Sequence, residues 1–164
     1  MQIRTTFITL LAVFLFIGCS KTQRPAGFPD LYPCEITITQ EGQPLEGATV
    51  RLIPVEKFEW IITGTTNTSG IAKIYTYHGD FLGAPAGTFK VCVSKTSIAL
   101  PDAPKPSDDD AAGLMEWNAL PRTTFKLVEP EYENESQTPH SITVSKGKNR
   151  ETFDVGKAVK IEIR

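Results

Sequence analysis

The amino-acid sequence predicts an all-β fold, an antiparallel β-sandwich of about seven to eight strands with at most one short helix near 111–120. From residue 34 onward, apolar and polar residues alternate with the period of two that is typical of half-buried strands. Turn residues separate the alternating stretches about every eight to twelve residues, which is the spacing of short strands in sandwiches. No long segment repeats apolar residues at helical spacing, so the sequence offers no helices to cover a parallel sheet. The length of 164 residues suits a single domain.

Each predicted strand is a short stretch in which apolar side chains occupy alternate positions. The candidate stretches for these strands are 34–40, 48–54, 58–63, 71–77, 89–95, 124–128, 141–145, 152–155 and 158–164. Asn67-Thr68-Ser69-Gly70 predicts a turn, because its glycine can adopt a positive φ. Lys146-Gly147-Lys148-Asn149 predicts a hairpin turn, and we expect 152–155 to pair back across it.

Two strands are predicted to form the centre of the core. Their inward residues are expected to be Cys34, Ile36 and Ile38 on the first strand, and Phe89, Val91 and Val93 on the strand over 89–95. The alternation places Cys92 on the opposite face from its two valine neighbours. Because a disulfide needs Cβ atoms about 3.8 Å apart, we expect Cys34 and Cys92 to be two separate thiols.

The first 18 residues predict a lipoprotein signal peptide. Phe7–Ile17 is an apolar run too short to span a bilayer, but of the length of a signal-peptide core. The run ends in Gly18-Cys19, which resembles the bacterial lipobox, with Phe16 where leucine is usual. The resemblance implies cleavage before Cys19 and lipidation of that cysteine. The alternatives are an ordinary signal peptide with a chance cysteine and an uncleaved anchor.

The expected organisation follows from this leader. Residues 19–33 contain three prolines and no periodicity, and predict a lipidated flexible tether. Residues 34–164 then form the β-sandwich domain. The expected location is the bacterial cell envelope, where the lipid on Cys19 anchors the chain to a membrane facing the periplasm or the cell surface.

Three segments of the domain resemble the carboxypeptidase-regulatory-like, or prealbumin-like (transthyretin-like), β-sandwich modules. Ile36–Val50 contains Gly-Gln-Pro-Leu-Glu-Gly-Ala-Thr-Val, similar to the first hairpin of these modules. Thr65–Ile74 is similar to their second turn and strand, with Asn67 where aspartate is usual and Ala72 where a larger apolar residue is usual. Gly83–Val91 is similar to their Gly-x-Tyr-x-Val segment. The resemblance implies a prealbumin-like sandwich without enzyme activity.

The end of the domain extends this resemblance. Leu127–Tyr132, then Ser141–Asn149 and Phe153–Val155, look like the variant in small lipoproteins of planctomycete-type bacteria. The chain lacks the His-x-x-Glu pair of the zinc peptidases after which the module is named. It ends in Lys-Ile-Glu-Ile-Arg, unlike the Tyr-Arg-Gly-Ser end of the transthyretin-like hydroxyisourate hydrolases.

The composition offers few residues for chemistry. The two histidines, His78 and His140, lie on different predicted turns, and a catalytic zinc site usually takes three protein ligands. Asp108-Asp109-Asp110 lies in a proline-containing loop, whereas a calcium loop needs spaced oxygen ligands. The net charge of −2 argues against a nucleic-acid partner. We therefore expect no catalytic site, no metal and no cofactor.

The expected function is a non-catalytic, lipid-anchored envelope module with a structural or protein-interaction role. The alternative is a carbohydrate-binding module that stacks sugar rings on exposed aromatic residues. The candidate residues for stacking are Trp60, Tyr75 and Tyr77. The expected partner is thus an envelope protein or a polysaccharide.

Overall fold

The structure is a computed structural model that describes residues 24–56, 59–77 and 79–163. Within these residues it is an all-β fold, in which strands far outnumber two short helices. The strands are β1 (Leu31–Tyr32), β2 (Cys34–Gln40), β3 (Gln43–Pro44), β4 (Thr49–Pro54), β5 (Ile62–Thr65), β6 (Ile71–Lys73), β7 (Tyr75–Thr76), β8 (Phe81–Leu82), β9 (Ala84–Pro85), β10 (Gly87–Ser94), β11 (Thr96–Ala99), β12 (Thr123–Lys126), β13 (Ser141–Val144), β14 (Asn149–Asp154) and β15 (Ile161–Ile163). The helices are α1 (Ala111–Ala119) and α2 (Pro130–Glu133).

Two sheets enclose the core, as the sandwich prediction requires. The larger sheet has the order β13-β10-β4-β5-β7-β8, and all its pairs are antiparallel. The smaller sheet has β2 at its centre, between β14 on one side and β3 and β6 on the other. Inward residues of both sheets form one hydrophobic cluster.

The predicted core residues are confirmed. Ile38 on β2 and Val91 on β10 are both 0% exposed. Thr37, which alternates with the inward residues of β2, is only half-buried. The first strand therefore turns toward the core the face that its sequence predicts.

The predicted turn before β6 is present, and its two key residues show why. Gly70 has a φ of 73°, and a Cβ atom on it would lie 2.5 Å from the carbonyl oxygen of Ile38. The side-chain oxygen of Asn67 accepts hydrogen bonds from the backbone N–H groups of Ser69 and Ile71, both at 3.0 Å. Asparagine thus supplies the same acceptor that aspartate would supply at this position.

The predicted hairpin over 146–149 is wrong. β13 pairs with β10 in the larger sheet, whereas β14 pairs with β2 in the smaller sheet, and that second pair is parallel. The side chain of Asn149 stabilises the connection between β13 and β14. Its amide oxygen accepts from the backbone N–H of Ser145, and its amide nitrogen donates to the backbone carbonyl of Ser145, both at 2.9 Å. The chain thus crosses between the sheets where a turn within one sheet was expected.

Other elements differ from the predictions in their extent. The strand expected over 58–63 is β5, which begins at Ile62, and residues 57 and 58 lie outside the described residues. The stretch over 71–77 is two strands, since Ile74 separates β6 from β7. The acidic segment 129–139 contains a second helix, α2, with Pro130 in its first turn, whereas the sequence predicts at most one helix near 111–120.

A third, separate sheet has the order β11-β12-β15, and its first strand follows β10 after Lys95. β11 is a strand that the sequence did not predict. α1, predicted over 111–120, lies in the connection between β11 and β12, and the side chain of Asp110 caps it by accepting from the N–H of Gly113 at 2.9 Å. The aspartates of this loop thus include a helix cap.

The described part of the predicted tether lies against the domain. β1 pairs with β9, joining Leu31 to Pro85 and Tyr32 to Ala84. Phe28 packs against Phe81 of the larger sheet and against Trp60, which precedes β5. A strand pair and an aromatic contact thus hold the segment 28–33 against the domain. Cys19 lies outside the described residues.

Replacing Ile38 with alanine should lower the free energy of unfolding by about 2–5 kcal/mol, because it removes a buried side chain and leaves a cavity. The matched variant Thr37→Ala, on the outer face of the same strand, should cost no more than about 1 kcal/mol. Urea denaturation followed by circular dichroism measures both values. Equal, small losses at the two positions would show that β2 is not a half-buried strand.

Candidate interaction surfaces

An aromatic cluster lies where the N-terminal segment meets the larger sheet. We call Phe28, Trp60, Tyr77 and Phe81 the basal aromatic cluster. The ring centroid of Phe28 is 5.5 Å from that of Trp60 and 4.8 Å from that of Phe81. Trp60 and Tyr77 are 5.3 Å apart with an interplanar angle of 73°, which is an edge-to-face contact.

Backbone geometry places these rings together. Tyr77 has a φ of 60°, an uncommon conformation for a residue other than glycine, and its N–H donates to the carbonyl of Ile61 at 2.9 Å. The carbonyl of Tyr77 accepts from the N–H of Asp80 at 3.0 Å, which closes a turn into β8. This turn brings Phe81 back beside Tyr77.

Arg24 completes the cluster. Its guanidinium carbon lies 5.9 Å from the ring centroid of Phe28 and 5.8 Å from that of Phe81. Both distances are within the range of cation–π attraction. The N-terminal segment is thus held at this end of the sandwich by Arg24 and Phe28 together with the β1–β9 pair.

The three residues predicted to stack on sugars fall into two places. Trp60 and Tyr77 pack against each other and against Phe28, so their rings do not form one flat platform. Tyr75 lies instead in a neighbouring groove of about 490 Å³. This groove is also lined by Thr65 and Lys73, which could donate hydrogen bonds to a polar ligand. Thr63 lines it too, but its hydroxyl already donates to the carbonyl of Val50 at 3.0 Å, so it could only accept.

An apolar sheet face lies on the third sheet. We call Ile98, Ile161 and Ile163 the distal isoleucine face. Their exposed fractions are 61%, 40% and 42%. Thr124 pairs with both Ile98 and Ile163, and directly paired residues point to the same side of a sheet. Exposed apolar patches of this kind on soluble domains often mark interaction sites.

The two surfaces lie at opposite ends of β10. Its first residue, Gly87, lines a groove of about 560 Å³ with Pro29 of the N-terminal segment. Beyond its last residue, the carbonyl of Lys95 accepts from the N–H of Leu127, at the start of the third sheet, at 2.8 Å. Eight residues of extended strand span roughly 25 Å. We call the end of the domain at Gly87 the basal end, and the end beyond the last residue of β10 the distal end.

The cysteines confirm the prediction of two separate thiols. Both are free and buried. Cys34 belongs to the core cluster, where burial raises the pKa of its thiol to about 11. Cys92 lies outside that cluster, beside a small cavity of about 270 Å³ that Arg51 and Glu133 also line. Burial raises the pKa of the Cys92 thiol, and Arg51 opposes this rise.

Sequence reasoning missed a stack of side chains around His140. Its ring is 5.3 Å from that of Tyr132 and 4.8 Å from that of Phe153, and its Nε2 lies 2.9 Å from the carbonyl oxygen of Asp154. These contacts join α2, the segment before β13, and β14. The stack packs across the gap between the two sheets, which is a structural role. His78 lies outside the described residues.

Asp154 links the ends of two strands of the smaller sheet. Its carboxylate accepts from the N–H of Gly42 at 3.0 Å, from the hydroxyl of Thr39 at 2.8 Å and from the N–H of Gly156 at 2.8 Å. The bond from Gly42 and then the bond from Thr39 hold the pKa of this carboxyl below its usual range.

Among the described residues, no three His, Cys, Asp or Glu side chains come close enough together to hold a metal ion. Asp108 pairs with Lys105 at 2.9 Å in the exposed loop before α1. No helix in the described part of the chain is long and apolar enough to span a membrane.

Comparison with protein-family models, with curated proteins and with solved structures finds no match for this chain.

The stability contributed by Asp154 should depend on pH. Because its folded pKa lies below the unfolded value, the contribution is present above the unfolded value near 4 and is lost as pH falls through the folded pKa. Asp154→Asn should therefore be less stable than the wild type at pH 7, and the difference should shrink in acid. Urea midpoints measured from pH 7 to pH 2.5 test this. Asp109→Asn, in the solvated loop, is the control, and an Asp154→Asn deficit that is constant across this range would contradict the account.

Proposed function

We propose that the chain is a non-catalytic, lipid-anchored module of the bacterial cell envelope, with a structural or protein-interaction role. The observation that supports this proposal best is the two-ended arrangement of the domain. The N-terminal segment is fixed at the basal end, whereas the distal isoleucine face lies beyond the opposite end of β10. A lipid on Cys19 would hold the basal end near a membrane and leave the distal end free.

The distal isoleucine face is the surface that we propose for a partner. Each isoleucine is at least 40% exposed, and the sheet that carries them has β11 and β15 at its two edges. Exposed edge strands with apolar side chains can pair with a strand of another protein. The partner is an envelope protein in this proposal.

The carboxypeptidase-regulatory-like, prealbumin-like type of the sandwich also belongs to the proposal. It is supported by the sequence motifs and by the glycines within them, since Gly42, Gly47 and Gly70 all have a positive φ. These glycines lie at the turns that the motifs place between strands.

Carbohydrate binding is the second candidate, and the groove beside Tyr75 favours it. One aromatic ring among two threonines and a lysine combines a stacking surface with hydrogen-bonding groups. Trp60 and Tyr77 support it less, because their rings pack edge to face within the basal aromatic cluster.

The lipid anchor is tested by metabolic labelling. Cells that express the full chain with labelled palmitate should incorporate the label, and Cys19→Ala should abolish incorporation. Membrane fractionation should find the wild type with the membranes. An unlabelled wild-type product that is released from the membranes would refute the anchor.

The carbohydrate alternative is tested by a pull-down with insoluble envelope polysaccharides. If the chain is a structural or protein-interaction module, the purified wild type should stay in the supernatant. Retention that is lost in Tyr75→Ala, but kept in the control Trp117→Phe on α1, would replace the main proposal with the alternative.

A further inference from the structure

We infer that the basal aromatic cluster rests on the lipid surface, with Trp60 at the level of the headgroups. The inference rests on the proposed lipid anchor and adds to it a second contact and a defined orientation. The occupant of this surface is the membrane to which the chain is tethered.

The length of chain before the cluster limits how far the domain can move from the membrane. Five peptide steps separate Cys19 from Arg24, and Arg24 already packs on the rings of Phe28 and Phe81. Fully extended, five residues reach about 18 Å at most. A lipid on Cys19 therefore keeps the basal end within about 18 Å of the bilayer surface.

The chemistry of the basal end suits the boundary between lipid and water. Tryptophan and tyrosine are enriched at this boundary, because their rings are apolar while their N–H and O–H groups stay hydrated. Trp60, Tyr77 and Phe81 are each only half-buried in the structure. Ile61, which follows Trp60 in the chain, is 51% exposed.

The charges at the basal end indicate whether its contact with the membrane depends on the charge of the lipid headgroups. Glu59 and Asp80 are exposed next to the cluster and would be repelled by anionic headgroups, whereas Arg24 would be attracted. These charges offset one another in part. We therefore assign the contact to burial of aromatic and aliphatic side chains, so it should form on zwitterionic lipid and should not weaken in high salt.

The chain contains two tryptophans, and they report on opposite ends of the molecule. Trp60 belongs to the basal aromatic cluster. Trp117 lies on α1, in the connection beyond β11, where its indole N–H donates to the carbonyl of Ala103 at 3.1 Å. Trp117→Phe leaves only the basal reporter, and Trp60→Phe leaves only the distal reporter.

The test uses the full lipidated chain in phosphatidylcholine vesicles that contain lipid brominated in the acyl chain near the headgroup. Bromine quenches tryptophan only at short range. We expect severalfold stronger quenching in Trp117→Phe, which retains Trp60, than in Trp60→Phe, which retains Trp117.

Other outcomes separate this inference from the proposed function. Palmitate incorporation with equally weak quenching of both reporters would overturn the docking of the basal end and leave the anchor standing. Strong quenching of both reporters would also overturn it, because the domain would then lie on its side. A chain that incorporates no palmitate would remove the anchor, and the inference that rests on it would fail as well.

Discussion

The structure depends most on the position of β2 at the centre of the smaller sheet. Its inward residues, Cys34, Ile36 and Ile38, are at most 1% exposed and pack in the same cluster as residues of β10. Antiparallel β6 pairs with one edge of β2 and parallel β14 with the other, so its backbone bonds are satisfied within the sheet. Because β14 comes near the end of the chain, this pairing joins residues more than 100 positions apart and closes the sandwich into one body.

The proposed function requires this closed sandwich, because it connects the two ends of the domain rigidly. A spacer can hold a partner at a fixed distance from a membrane only if its two ends are rigidly connected. β10 makes this connection, with the N-terminal segment beside its first residue and the third sheet beyond its last. The buried residues between these ends provide the rigidity, and the exposed residues at each end are free for contacts.

The sequence predicts the inward rows of β2 and β10 correctly, because period-two alternation follows directly from the geometry of a half-buried strand. It does not identify the partner of a strand, which is why β14 was expected to pair with β13. Cys92 shows a related limit. Alternation correctly places its side chain on the face of β10 that points away from the core. Only the structure shows that this side chain is nevertheless buried, beside Arg51 and the helix residue Glu133.

The candidate surfaces were less predictable than the core. Trp60 and Tyr77 were candidates from the sequence, but Phe28, which packs against both rings, lies in a segment without periodicity. The left-handed backbone of Tyr77 is likewise set by the tertiary structure and not by its residue type. His140 had no motif, since its neighbours Tyr132 and Phe153 lie on two other elements, α2 and β14, at no fixed spacing from it.

Native-state hydrogen exchange tests the closure of the sandwich most directly. The N–H of Val155 donates to the carbonyl of Thr39 and the N–H of Asn149 to that of Pro33, both at 2.9 Å, so these two amides report on the parallel pairing. They should exchange as slowly as the amide of Ile38, which donates to the carbonyl of Gly70 at 2.8 Å, and should open only with global unfolding. Fast exchange at Asn149 and Val155 beside a protected Ile38 would show that β14 does not close the smaller sheet, and would contradict the account.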